Sequence, residues 1–93
     1  MVHTLDPEVA LLDEVLYENG PQRELLLFND DVNTFDHVIH CLVEICDHDP
    51  LQAEQCAWIV HYNGKCSVKR GSFDRLEPLC DALHLRGLSA DIQ

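Results

Sequence analysis

Hydrophobic and polar positions change period several times along the chain, and each change predicts an element. Leu5, Leu12 and Leu16, with Val9 and Val15, fall on one helical stripe. Asp6-Pro7-Glu8 reads as its start, with a capping acid, proline at the first helical position and an acid in the first turn. Asn19-Gly20-Pro21 stops it. The first segment, residues 1–22, is therefore an arm: a short amphipathic helix, then a linker. Such a helix either docks on the body or reaches for a partner, and the pattern leaves both open.

The body, residues 23–93, begins with Glu24-Leu25-Leu26-Leu27-Phe28, a short apolar run that reads as a buried strand. Asn29-Asp30-Asp31-Val32-Asn33 breaks it with side chains that bond readily to nearby backbone. Thr34 is a candidate N-cap. Phe35, Val38, Ile39, Leu42, Ile45 and Cys46 then recur at helical spacing, up to Asp47-His48. Asp49-Pro50-Leu51-Gln52 starts a second helix whose apolar stripe is Ala53, Cys56, Ala57 and Val60, ended by Asn63-Gly64. Lys65 to Lys69 alternates polar and apolar, as a strand does, and Arg70-Gly71 reads as a turn. Ser72 caps a third helix carrying Phe73, Leu76, Leu79, Cys80 and Leu83, in which Pro78 marks a kink or a late start. Gly87 ends it, and Leu88 to Ile92 alternates into a final strand. The order strand, helix, helix, strand, helix, strand, with one apolar face per helix, predicts an α+β two-layer sandwich.

Composition narrows the function. The chain of 93 residues carries 17 acidic and 6 basic side chains, a net charge of −11. Phosphate binding runs on Lys and Arg, so nucleic acid and anionic membrane surfaces are disfavoured partners. No stretch approaches the roughly 18 consecutive apolar residues of a membrane span, and the N-terminus lacks the basic flank and apolar run of an export signal. Four of the basic residues, Lys65, Lys69, Arg70 and Arg75, lie close together in sequence. They suit a docking patch or a solvated turn equally.

Five cysteines, Cys41, Cys46, Cys56, Cys66 and Cys80, are an odd number at irregular spacings. Without an export signal they read as reduced, buried thiols of a cytoplasmic protein. His37 and Cys41 are four apart and share a helix face, but zinc needs four converging ligands, and neither a Cys-x-x-Cys nor a His-x-x-x-His pair occurs. A Cys/His metal protein therefore ranks behind a binding module. Cys56 and His61, five apart, face different ways, so no thiolate–base pair of a hydrolase forms on that helix.

Two polar features stand out. Asn29-Asp30-Asp31 directly follows a buried strand and directly precedes a helix; Val60-His61-Tyr62-Asn63-Gly64-Lys65 closes the next helix. Singly each is common. Together, at this separation and with Phe35, Val38, Leu42, Ala53 and Leu88 around them, they resemble the ClpS family of Clp protease adaptors. The similarity covers Glu24 to Gln93.

The resemblance implies the ClpS fold, three antiparallel strands against three helices, like the C-terminal domain of the ribosomal stalk protein. It implies a monomeric cytoplasmic adaptor without enzymatic activity or cofactor. Such an adaptor binds N-degrons, proteins beginning with Phe, Tyr, Trp or Leu, and hands them to a ClpA- or ClpC-type AAA+ unfoldase. By position, Asn29, Asp30 and His61 would hold the α-amino group, and Asp31 and Asn33 would complete the rim. Phe35, Val38, Ala57, Val60 and Leu88 would line the apolar pocket. A free α-amino group, with pKa near about 7.7–8.0, is mostly cationic at neutral pH and suits a carboxylate partner. Asn33 stands where the family often has Thr, and Phe35 and Ala57 where Met is frequent. A stiffer wall at the rim with more room below implies a preference for aromatic over Leu N-termini. A related module that docks on an unfoldase without an amino-acid pocket is the rival reading, and the intact polar rim argues against it.

Overall fold

The computed structural model describes residues 21–93. The helix expected within Met1 to Asn19 lies outside the described residues. Six elements follow in the predicted order: β1 (Arg23–Phe28), α1 (Phe35–Cys46), α2 (Pro50–Asn63), β2 (Lys65–Gly71), α3 (Phe73–Leu85) and β3 (Ser89–Ile92).

Each helix starts where a short polar side chain accepts a backbone N–H. Thr34 Oγ1 accepts from His37 at 3.1 Å, Asp49 Oδ1 from Gln52 at 2.9 Å, and Ser72 Oγ from Arg75 at 3.4 Å. These satisfy donors that a helix N-terminus otherwise leaves orphaned. α1 ends on Asp47 in the left-handed region (φ 58°), and α2 ends on Gly64 (φ 92°), whose N–H donates to the Val60 carbonyl. Pro78 does not delay α3, which runs from Phe73 through it. The proline removes the N–H that would meet the Asp74 carbonyl. Both residues are exposed, so water can satisfy that carbonyl.

β1 is the middle strand, antiparallel to β2 on one side and β3 on the other. A reciprocal pair between Glu24 and Gln93, both bonds 2.9 Å, extends the β1–β3 ladder past the end of β3. The β1–β2 register shifts between Leu25, opposite Lys69, and Leu26, opposite Ser67, which leaves Val68 as the extra residue of a bulge. Two expectations change here. Arg70 and Gly71 do not turn; they continue β2, pairing with Glu24 and Arg23. The bulge explains why alternation broke off early. An inserted residue shifts the side-chain phase, so Val68 and Gly71 are buried while Arg70 is exposed. At the other end, Leu88 precedes β3 rather than opening it.

His48 holds this bulge. Its ring is buried, and Nε2–H donates to the Val68 carbonyl at 2.7 Å. Arg70 pairs with Glu24 at 3.3 Å, and Lys65, Lys69 and Arg70 all sit on β2, an edge strand among the described residues. Edge lysines and arginines discourage pairing with a foreign strand.

Leu25 and Leu27 of β1 and Val68 of β2 meet Cys41, Leu42 and Cys46 of α1, Ala53, Cys56 and Val60 of α2, and Leu76, Cys80 and Leu83 of α3, with Leu88 closing one end. One sheet face and three helix stripes thus bury a common core. The five cysteines are free thiols, four of them buried. Burial pushes the Cys46 thiol up to about 11, and burial together with the adjoining Cys56 thiol pushes Cys66 up to about 12. Both stay protonated at neutral pH, as inert core thiols do. Among the described residues no helix is long and apolar enough to cross a membrane.

Candidate functional site

The segment Asn29–Asn33 leaves the centre strand at the level of the C-terminal end of α2. One bond joins them: the Asn29 N–H donates to the Gly64 carbonyl at 2.9 Å. The two polar features of the sequence, joined across the 35 positions from Asn29 to Gly64, are thus neighbours by backbone.

Asp30 shapes the loop. Its Oδ1 accepts the N–H groups of Val32 and Asn33, each at 2.9 Å, and its Oδ2 accepts Asn33 Nδ2 at 2.8 Å. Burial works to raise this carboxyl, but the Asn33 backbone and side-chain bonds, the Val32 bond and the nearby His37 outweigh it, and Asp30 lies below the ordinary 3.8. It is an anion at neutral pH. Asn33 Nδ2 also donates to the Gly87 carbonyl at 2.9 Å, tying the loop to the residue before Leu88. The loop is therefore anchored on both flanks, at Gly64 and at Gly87.

Between these anchors opens a pocket of about 310 Å³. All ten residues singled out from sequence line it: Asn29, Asp30, Asp31, Asn33 and His61 among the polar groups, and Phe35, Val38, Ala57, Val60 and Leu88 among the apolar ones. Leu27 and Phe28 line it too. Sequence reasoning assigned these two to the strand alone, although their position just before Asn29 was the available signal. Leu27, Ala57, Val60 and Leu88 are buried, so the pocket opens directly onto the core. Asp30 and Asn33 are half-buried, and Asn29, Asp31 and His61 are exposed. The arrangement is an apolar recess with hydrogen-bonding groups and a carboxylate at its rim. A dry cavity of about 150 Å³ accepts benzene, so this recess has room for an aromatic side chain.

The remaining histidines among the described residues have structural partners. His37 Nε2–H donates to the Arg86 carbonyl at 2.8 Å, with the Cys41 sulfur 3.6 Å away. His84 Nε2–H donates to the Ala90 carbonyl at 2.7 Å and clamps α3 to β3. Arg86 forms an ion pair with Glu44, which joins α3 to α1. Among the described residues, no three His, Cys, Asp or Glu side chains converge as a metal would require.

Sequence reasoning also missed a cluster of rings beside the pocket. Phe35 meets Trp58 edge-on, centroids 4.6 Å apart, and His61 at 5.6 Å. Trp58 stacks on Tyr62 at 5.3 Å with the rings 9° from parallel. The signal was present: α2 carries Leu51, Trp58, Ile59 and Tyr62 opposite its buried stripe, and all four are exposed. A helix that is apolar on both sides has a second surface to account for.

Fold and site together define a small α+β module built around one apolar pocket with an acidic, hydrogen-bonding rim. Residues 18–91 match the family model described as ATP-dependent Clp protease adaptor protein ClpS, and the chain belongs to that family. It is similar to the ClpS adapter proteins of Nostoc sp. (31% identical over 90 residues, 92% of this chain and 88% of that one) and Thermosynechococcus vestitus (31% over 80 residues, 82% of each). The backbone is similar to Agrobacterium tumefaciens ClpS2, solved bound to L-phenylalaninamide, with a TM-score of 0.73 at 18% identity over 77% of this chain and 94% of that one. That likeness bears out the α+β sandwich read from the hydrophobic pattern.

Proposed function

We propose that this pocket takes the first residue of proteins that begin with Phe, Tyr, Trp or Leu, and that the chain hands them to a ClpA- or ClpC-type AAA+ unfoldase in the cytoplasm. The chain itself performs no chemistry. The observation that carries the reading is the convergence of an apolar recess with the Asp30 carboxylate and neighbouring acceptors on one 310 Å³ pocket. L-Phenylalaninamide, held by the Agrobacterium ClpS2, combines the same two complements: a cationic α-amine and an apolar ring.

The energetics require both halves. A hydrogen bond to a charged group contributes about 1.5–3 kcal/mol, and burying a Phe or Leu side chain about 1.5–3 kcal/mol. Their sum falls short of the roughly 8 kcal/mol of micromolar binding. Additional bonds to the ammonium and to the following backbone must supply the rest, so losing either half is expected to be severe. Fluorescence anisotropy with a labelled Phe-initiated peptide, its N-acetylated form and a Leu-initiated form tests this. The free Phe peptide is expected to bind, acetylation to weaken it at least about tenfold, and Leu to bind less tightly than Phe. Equal binding of free and acetylated peptides would end the amine-recognition reading.

The arm, residues 1–22, belongs to delivery in this proposal. β1 starts at Arg23, and among the described residues the pocket is lined from Leu27 onward. Removing residues 1–22 is therefore expected to leave peptide affinity unchanged and to abolish unfoldase-dependent degradation of a Phe-initiated reporter. Loss of peptide affinity on truncation would assign the arm to the binding fold instead.

A further inference from the structure

The ring cluster beside the pocket extends what the site can read. Trp58 is 45% exposed and Tyr62 73% exposed, and their parallel stack presents a broad π surface to solvent. The stack is continuous with the pocket, because Phe35 and His61 line the recess and also touch Trp58, His61 at 6.2 Å. A chain whose first residue occupies the recess advances about 3.3–3.6 Å per extended residue. Leaving along α2, it would bring its second or third side chain to the stack, which adjoins the recess.

Along α2 and the pocket rim the charge near the stack is acidic, and the nearest cation in sequence is Lys65, beyond the end of the helix. α2 contains no Lys or Arg, and Glu54 lies one helical turn before Trp58 on the same face. Asp36 follows Phe35, and Asp31 stands on the pocket rim. No ion pair among the described residues engages Glu54, Asp36 or Asp31. Trp and Tyr faces attract planar cations, and Arg most often fills that role. An acidic surround strengthens the attraction and repels a carboxylate.

We propose that the Trp58–Tyr62 stack is a second subsite that receives an arginine side chain at the second or third position of the bound chain. It favours substrates that follow their apolar first residue with a basic one. This rests on the pocket taking a free N-terminal residue, and the test separates the two.

Labelled peptides beginning Phe-Ala-Ala, Phe-Arg-Ala and Phe-Ala-Arg, with citrulline versions of the last two, are titrated into the full chain. Citrulline keeps the shape of arginine and removes its charge. At least one arginine peptide is expected to bind about two- to fivefold tighter than its citrulline partner. In Trp58→Leu, and independently in Tyr62→Leu, that ratio is expected to fall toward one. Reading the ratio within each variant cancels any change in overall affinity, and the unchanged net charge of both variants retains the general attraction of an acidic protein for arginine. Ratios of one in the wild-type chain, or ratios that survive both substitutions, would overturn the proposal while leaving the pocket reading intact. Failure of every free-amine peptide to bind would remove the pocket reading, and this inference with it. Concentration-dependent sedimentation abolished by Trp58→Leu, with the arginine ratio unchanged, would assign the stack to contact between two copies of the chain.

Discussion

Asp30→Ala is expected to weaken binding of a Phe-initiated peptide by about ten- to hundredfold, the effect of losing a hydrogen bond to a charged group. The same change should erase the difference between free and N-acetylated peptides. Two losses combine. The carboxylate proposed to meet the ammonium disappears, and so do the three bonds through which Asp30 holds Val32 and Asn33. Asp30→Asn separates them: it keeps an oxygen for the two backbone N–H groups but removes the charge. Its amide nitrogen, in place of the second oxygen, meets the Asn33 amide donor. Anisotropy with both peptides against each variant is the measurement. Retention of the amine preference in Asp30→Ala would show that the ammonium is held elsewhere.

The pH dependence has a definite sign. Asp30 is depressed below 3.8 in the fold. Its contribution to loop stability is therefore complete above that value and is lost as pH falls through the still lower folded value. Between neutrality and about pH 5 this carboxylate stays charged. On the alkaline side the ligand loses its cation as pH rises through about 7.7–8.0. The ion pair is thus expected to weaken above pH 8, through the ligand rather than through Asp30.

Leu27→Ala is expected to cost about 2–5 kcal/mol of stability. Leu27 is 1% exposed, packs in the common core and also lines the pocket. At about 0.05–0.15 kcal/mol per residue, a domain of this size has few kcal/mol to lose. Urea denaturation should show a much lower midpoint at an unchanged slope. Leu85→Ala is the control, since Leu85 is 88% exposed and surface changes stay within about 0.5 kcal/mol. A Leu27→Ala loss no larger than that of Leu85→Ala would mean that the core does not depend on the strand that floors the pocket.

Much of the architecture was legible because it follows from local chemistry. Thr34, Asp49 and Ser72 cap helices through side chains that reach backbone three residues on, a contact sequence spacing alone can forecast. The core stripes of α1, α2 and α3 were legible for the same reason, since a 3.6-residue period fixes which side chains share a face. The differences arose where tertiary surroundings overrode the local pattern. Arg70 and Gly71 look like a turn until β1 pairs with them across the Val68 bulge. Pro78 looks disruptive until its exposed position in α3 is known. The outer face of α2 is hard to read from sequence because Ala53, Cys56, Ala57 and Val60 already form one complete apolar stripe, and Leu51, Trp58, Ile59 and Tyr62 lie on the exposed side.

The candidate site divides along the same line. Residue types and spacing supplied the resemblance from which ten of the pocket's side chains were named by position. A polar triplet after a strand and a histidine at a helix end are local facts, and the ClpS resemblance rests on them. Only the tertiary structure decided how they meet. The Asn29–Gly64 and Asn33–Gly87 bonds close loops of tens of residues, and no local preference encodes a contact whose existence depends on the packing of three helices on one sheet. The same packing decided that Phe35 of α1 joins Trp58, His61 and Tyr62 of α2 in one surface. Periodicity forecasts the faces an element presents; which faces meet is settled when the core excludes water from all of them at once.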